Sequence, residues 1–126
     1  MPILGTGVDL AEVDRIARSL ALYGQRFQER VFTAGEIAYC ERFKNRAERY
    51  AARFAAKEAG MKALGTGWRR GIRWTDIEVV RQPGGRPTIV FSGVAAEFAE
   101  RMGVRNIALS LTHTATQALA QVILEG

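Results

Sequence analysis

The segment NRAERYAARFAAKEAGMKALGTG, residues 45–67, constrains this chain more than any other. Asn45 and Glu48 have capping-box spacing, which predicts a long helix starting near Arg46, and Gly65 is placed to end it. At about 100° per residue, Phe54, Ala55, Ala56, Ala59, Met61, Ala63 and Leu64 point almost all round that helix and leave no wide polar face. A helix like that is mostly buried. It nevertheless carries Arg53, Lys57, Glu58 and Lys62. A charged group away from water needs an opposite charge, a metal or an ionic ligand beside it.

On either side the pattern changes. ILGTGVDL, residues 3–10, reads as a short, glycine-relieved strand. Asp9 sits where it gives way to a helix with Val13, Ile16, Ala17 and Leu20 at helical spacing. Asp9 and Glu12 fit a capping box at that helix start, and Thr33 with Glu36 fits another, predicting a second helix near Ala34. WTDIEVVRQ and TIVFSG flank PGGRP and read as two strands joined by a turn, and VAAEFAERMG reads as a short amphipathic helix ended by Gly103. VRNIALSLTHT alternates, with Ile107, Leu109, Leu111 and His113 on one face. ALAQVILE alternates again after TATQ, so the chain is predicted to end in a hairpin. No repeat, linker or low-complexity stretch divides it. The expectation is one α+β domain over residues 1–126, with an antiparallel sheet packed against helices. The last two strands are nearly uncharged on both faces. A chain with few helices covers such a sheet by packing it with other copies of itself.

With 48% hydrophobic and 25% charged residues, the chain can bury a real core. No apolar run approaches the ~20 residues needed to cross a bilayer, and MPILGTGVDL lacks the basic region and cleavage site of a signal peptide. The cytoplasm is the expected compartment, with no membrane partner. Cys40 is the only cysteine, which leaves no internal disulfide and no cysteine-rich metal site; following Tyr39 in a helical segment, it reads as a packed small hydrophobe. The net charge of +5 favours an acidic partner. Most basic residues lie between Arg15 and Arg73, whereas residues 106–126 hold no Lys or Arg. The tail therefore reads as core or subunit contact, and the helical part as the surface that meets a charged partner.

Glu58 and Lys62 have i,i+4 spacing, which alone makes a helix ion pair worth about 0.2–0.5 kcal/mol. In apolar surroundings the carboxylate also suits a metal, and the ammonium a phosphate. Arg53 and Lys57 form a second pair about 140° round the helix from the first. Asp9 gains a metal role only if the fold brings it to Glu58, because Mg²⁺ takes one or two carboxylates together with phosphate oxygens and water. Gly65, Thr66 and Gly67 follow a helix rather than precede one, so helix ending competes there with phosphate binding. His113, the only histidine, is a packing residue or a phosphate ligand, and without a second His it does not make a zinc site. Taken singly, these signals name no reaction.

Five blocks in register say more. GVDLAEVDRI at 7–16, RFAAKEAGMKALGTG at 53–67, DIEV at 76–79, GGRPTI at 84–89 and SLTHT at 110–114 stand in the order and spacing of the holo-acyl-carrier-protein synthases. The chain resembles this short bacterial type of 4′-phosphopantetheinyl transferase over essentially its whole length. The resemblance implies an enzyme that uses Mg²⁺ to move the 4′-phosphopantetheine arm of coenzyme A to a serine of apo acyl carrier protein. Adenosine 3′,5′-bisphosphate is released, and the carrier is activated for fatty acid synthesis. It implies that Asp9, Glu58 and Lys62 are catalytic, Asp9 and Glu58 holding the metal against the pyrophosphate and Lys62 contacting phosphate. Glu58, Asp9 or a metal-bound water would take the serine proton. Arg53, His113 and Thr114 would surround the 3′-phosphate, with Gly65, Thr66 and Gly67 near the ligand, in a homotrimer whose site lies at the subunit boundary. Arg15 and Arg18 match basic positions that the family uses towards its acidic carrier protein, and Arg26 extends the patch. Gly60 stands where relatives usually carry Ala or a bulkier residue, and a mid-helix Gly costs about 1 kcal/mol against Ala.

A competing reading is a non-catalytic nucleic-acid-binding domain, built on Trp68 and Trp74 among Arg69, Arg70 and Arg73. No RNA- or DNA-binding signature accompanies those residues, so the resemblance is preferred, and with it no nucleic-acid partner.

Overall fold

The computed structural model describes residues 1–67 and 70–126. The long helix, α4 (Arg46–Leu64), runs where it is predicted, and strand β1 (Ile3–Glu12) lies on it. The contact is backbone against backbone. A Cβ added to Gly7 would overlap the carbonyl oxygen of Ala59 and lie 3.0 Å from Ala63 N, and one added to Gly5 would overlap the carbonyl oxygen of Ala63. The alanines of α4 and the glycines of β1 are thus two halves of one close approach.

Helix α1 (Val13–Tyr23) buries Val13, Ile16 and Leu20. Gly24, at φ 52°, separates it from α2 (Gln25–Val31), a short helix that the sequence pattern does not announce. The capping box before α3 (Ala34–Cys40) is present, with Thr33 Oγ1 accepting from Glu36 N and Glu36 Oε1 accepting from Thr33 N. Gly65 ends α4 in the left-handed region, at φ 78°. A 3₁₀ turn at Trp74–Asp76 replaces the expected start of the next strand, and then β2 (Ile77–Arg81) pairs with β3 (Pro87–Phe91). Helix α5 (Gly93–Met102) stops at Gly103, and β4 (Asn106–His113) and β5 (Gln117–Glu125) form the terminal hairpin.

The architecture is α+β, but the antiparallel strands divide into two sheets, β1-β5-β4 and β2-β3. Ala118, Ala120, Val122 and Leu124 of the central strand are buried. The opposite face of the three-stranded sheet is open and partly apolar, with Val8 and Leu10 about half exposed and Leu119 beside them. Gly60 lies under the two-stranded sheet, where an added Cβ would meet Ile77 Cγ2 at 3.3 Å. Its helix-propensity cost is offset by letting that sheet close on α4. Cys40 is fully buried, and burial pushes its thiol up to about 12. Among the described residues no helix is long and apolar enough to cross a membrane.

Two expected caps are corrected. Asp9 does not cap α1; it stands inside β1 opposite Ala120, and Glu12 precedes the helix with no side-chain cap, its carboxylate accepting instead from Gln117 Nε2 at 3.2 Å. Pairing with β5 keeps the chain extended through Asp9. Asn45 likewise makes no side-chain cap on α4: Glu48 N donates to the Asn45 carbonyl at 3.1 Å, and the Glu48 carboxylate that would complete the box is engaged by His113 Nδ1 at 3.1 Å.

Candidate active site

Alternation along β1 puts Gly7, Asp9 and Ala11 on the buried side, facing α4. The close approach at Gly7 therefore carries Asp9 to the next turns of the helix. Asp9 is 9% exposed, and its Oδ1 accepts from Lys62 Nζ at 3.0 Å, while Val8 O accepts from the same ammonium at 3.1 Å. The Glu58 carboxyl lies close enough to Asp9 to feel its charge. Lys62 thus bonds across to the strand, and no ion pair with Glu58 along the helix forms. Burial pushes the Glu58 carboxyl up to about 7, helped by the Asp9 charge; Lys62 and Arg15 pull the other way.

Two carboxylates held together with one of them half-protonated near neutrality make an oxygen-only donor set of high negative charge density. That set fits a hard divalent cation completed by phosphate oxygens and water. Among the described residues no cluster of three or more His, Cys, Asp or Glu exists that would hold a metal unaided. Asp9, Glu58, Arg15, Ser19, Phe27 and Phe54 border a cleft of about 180 Å³.

Of the remaining expected site residues, Arg15 borders that cleft and the others lie outside it. Arg53 is 4% exposed, with its guanidinium 3.9 Å above the Tyr39 ring, on another side of α4 from Glu58. His113 joins the end of β4 to Glu48, ten residues and about 15 Å along α4 from Glu58. Thr114 Oγ1 accepts from Thr116 N and Gln117 N in the β4–β5 turn. Gly67 is also left-handed, at φ 60°, and Thr66 between the two glycines is buried, its Oγ1 donating to Gly67 O at 2.8 Å. Arg15, Arg18 and Arg26 are all exposed; Arg15 borders the carboxylate cleft, and Arg26 lines a separate hollow with Tyr23, Phe27 and Arg30.

The model of the 4′-phosphopantetheinyl transferase superfamily matches residues 5–120, a span holding both carboxylates, Lys62 and the terminal hairpin through Ala120. The chain belongs to that superfamily. A holo-[acyl-carrier-protein] synthase of Solibacter usitatus is 65% identical to it over 124 residues, covering 98% of this chain and 99% of the relative. The crystal structure of holo-[acyl-carrier-protein] synthase from Neisseria meningitidis superposes with a TM-score of 0.90 at 30% identity, covering 99% of this chain and 100% of that one. The synthase from Bacillus anthracis, solved in complex with coenzyme A (3′,5′-ADP), superposes with a TM-score of 0.79 at 35% identity over 97% of this chain and 96% of that one.

Within this transferase fold, two residues escape the sequence patterns. Glu36, taken as a capping residue alone, is also the counter-charge of Lys57 at 2.7 Å, both side chains being fully buried. The unpaired Lys57 in an apolar helix was the signal that such an acid had to exist. Phe54, which borders the cleft, stacks on Trp74 with ring centroids 5.0 Å apart. Trp74 is therefore taken up by the transferase core and offers no open platform for a base. Trp68 and Arg69, the other half of the nucleic-acid reading, lie outside the described residues. Arg73 bonds towards Asp76, with Nε 3.6 Å from Oδ1.

Proposed function

We propose that this chain transfers the 4′-phosphopantetheine arm of coenzyme A to a serine of apo acyl carrier protein, with Mg²⁺, releasing adenosine 3′,5′-bisphosphate. The observation that carries the reading is Asp9 and Glu58 brought together from a strand and a helix, with Lys62 on Asp9. Phosphoryl-type transfer asks a protein mainly to position groups and to neutralise charge. Asp9 and Glu58 would hold Mg²⁺, whose chemistry is to polarise the pyrophosphate and offset the charge of the leaving oxygen. Lys62, about half exposed, is free to turn its ammonium from Asp9 to a phosphate oxygen. Glu58, Asp9 or a water held beside them would take the serine proton. Intact mass measurement of an apo carrier protein, incubated with this chain and coenzyme A, tests the reading. A Mg²⁺-dependent gain of one phosphopantetheine is expected; no gain across a panel of carriers would end it.

The metal has its own test. The Glu58 carboxyl ordinarily titrates at 4.5 and does so at about 7 in the fold. As pH rises between those values, the unfolded chain loses this proton before the folded chain does. The metal-free protein therefore loses stability across that window. Mg²⁺ binds the ionised pair, so it should raise Tm more at pH 8 than at pH 6, an increment that Glu58→Gln removes. Equal shifts at both pH values, or persistence in the variant, would place the metal elsewhere.

A homotrimer with the site at the subunit boundary is part of the same proposal. A cleft of about 180 Å³ is smaller than the ~300–1,000 Å³ usual for ligand sites, and Arg53, His113 and Thr114 do not line it. The open face at Val8, Leu10 and Leu119 supplies a surface for another copy. Leu119→Asp should yield a smaller species in sedimentation, with activity lost together with assembly.

Arg15, Arg18 and Arg26 are proposed to receive the acidic carrier. Exposed charges act over roughly a Debye length and are screened by salt. Reversing Arg18 and Arg26 to Glu should raise KM for the carrier protein about tenfold or more and leave coenzyme A affinity unchanged. Loss of both affinities together would remove this assignment. Arg15 is left out of that variant because it borders Glu58.

A further inference from the structure

Lys57 is the one fully buried charge on α4 that the transfer reaction does not use. Its ammonium has three acceptors for three protons: Glu36 Oε1 at 2.7 Å, Trp74 O at 3.1 Å and Ile77 O at 2.5 Å. Glu36 also accepts from Thr33 N through Oε1 and from Val79 N through Oε2, each at 2.8 Å. Both ends of the pair are satisfied.

The place where they dock is informative. In the β2-β3 ladder the even-numbered residues face β3, as Ser92 N donating to Asp76 O and Gln82 N donating to Arg86 O show. Ile77 C=O and Val79 N–H therefore point away from β3, along an edge where no strand pairs among the described residues. One residue of a parallel neighbour would donate to the first and accept from the second. Lys57 and Glu36 do this with side chains that come from two different helices.

We propose that Lys57 and Glu36 are positioning residues for the transfer: docked on the edge of β2 in place of a strand, they fix the rotation of α4 and so hold Glu58 against Asp9. The inference rests on the reading of Asp9 and Glu58 as the reactive pair. Lys57 and Glu58 are successive, about 100° apart, so fixing the bearing of one fixes that of the other. On its other side α4 meets β1 through glycine and alanine backbone, and the side chain that bonds across, Lys62, is long and about half exposed, so it follows a turn of the helix more readily than the buried Lys57 does. Hydrogen bonds to carbonyls and a charge-assisted pair are directional and do resist it. A turn of about 10° moves a carboxylate about 6 Å from the axis by about 1 Å. A misplacement of that size costs about a hundredfold in rate. Stability alone is a poor reason for the pair, since apolar residues of similar volume are often as good or better in a core.

The test compares wild type, Lys57→Met and Glu36→Gln for carrier modification and for coenzyme A affinity by calorimetry, in Mg²⁺ and in chelator. Wild type that neither transfers nor binds coenzyme A overturns the functional reading, and this inference with it. With wild type active, folded Lys57→Met should lose about a hundredfold in kcat with KM for the carrier nearly unchanged. Its coenzyme A affinity should fall in Mg²⁺ and stay level in chelator, because only the metal-bridged part needs aligned carboxylates. If Lys57→Met does not fold, Glu36→Gln, which alters one atom and leaves one acceptor oxygen where the docked pair uses two, should show the same pattern at about tenfold. A folded variant with wild-type kcat and Mg²⁺-dependent affinity overturns the inference. So does one that loses kcat, carrier KM and chelator-state affinity alike, which marks general loosening rather than positioning.

Discussion

Glu58→Gln should leave a chain that folds at least as well as the parent and transfers at least about a hundredfold more slowly. The two halves of that result have one cause. Glu58 is held by burial and by Asp9 in a place that disfavours its charge, so its carboxyl titrates at about 7. A neutral amide of the same shape relieves that conflict, and above about pH 5 the metal-free variant should melt no lower than the parent. The same amide removes a charge from the proposed cation site and one of the groups able to take the serine proton. Carrier modification followed by intact mass, beside thermal melting in chelator, reads both halves. A variant with full activity and unchanged Mg²⁺ dependence would show that the two carboxylates are not the reactive pair. A variant that is inactive and markedly less stable would show Glu58 to be part of the scaffold instead.

The second large effect is expected away from any charge. Gly7→Ala places a methyl group on the Ala59 carbonyl oxygen, with Ala59 C at 2.9 Å and Ala63 N at 3.0 Å. These are backbone atoms in the middle of a 19-residue helix, so no rotamer change relieves the clash. Overpacking of a core costs about 1–3 kcal/mol where side chains yield. Here the strand and helix must separate, and a loss of about 3 kcal/mol or more is expected in chemical denaturation. What remains folded should also transfer poorly, because Asp9 sits two residues further along the same face as Gly7. A near-native midpoint would mean that β1 does not lie on α4 as described.

Which parts of this were legible in the sequence follows from how local each interaction is. The Thr33–Glu36 box, the ending of α4 at Gly65 and the terminal hairpin are set by residues within a few positions of one another, and periodicity reads them correctly. Asp9 and Asn45 were misread for the opposite reason. Asp9 is kept in an extended strand by Ala120, and Glu48 is claimed by His113, 65 residues away. Local spacing matched a cap in both cases, and a distant partner decided otherwise. The helix α2 gave no periodic signal because it is only seven residues long. At the site, resemblance supplied Asp9, Glu58 and Lys62 together, whereas residue chemistry alone reached only the need for partners. The Lys57–Glu36 pair was half legible: an apolar helix with a lysine demands an acid, but nothing in spacing selects Glu36 from the other acids of the chain.

The buried thiol of Cys40 has a practical consequence for watching the proposed encounter. A thiol with no exposed surface and a pKa of about 12 holds almost no thiolate at neutral pH, so maleimide reagents should pass it by while the chain is folded. One cysteine introduced at Leu22, which is 73% exposed on the same helix as Arg18, would then be the sole labelling site. A fluorophore there would sit beside the face assigned to the carrier, and its intensity would report docking in real time without removing any native residue of the core.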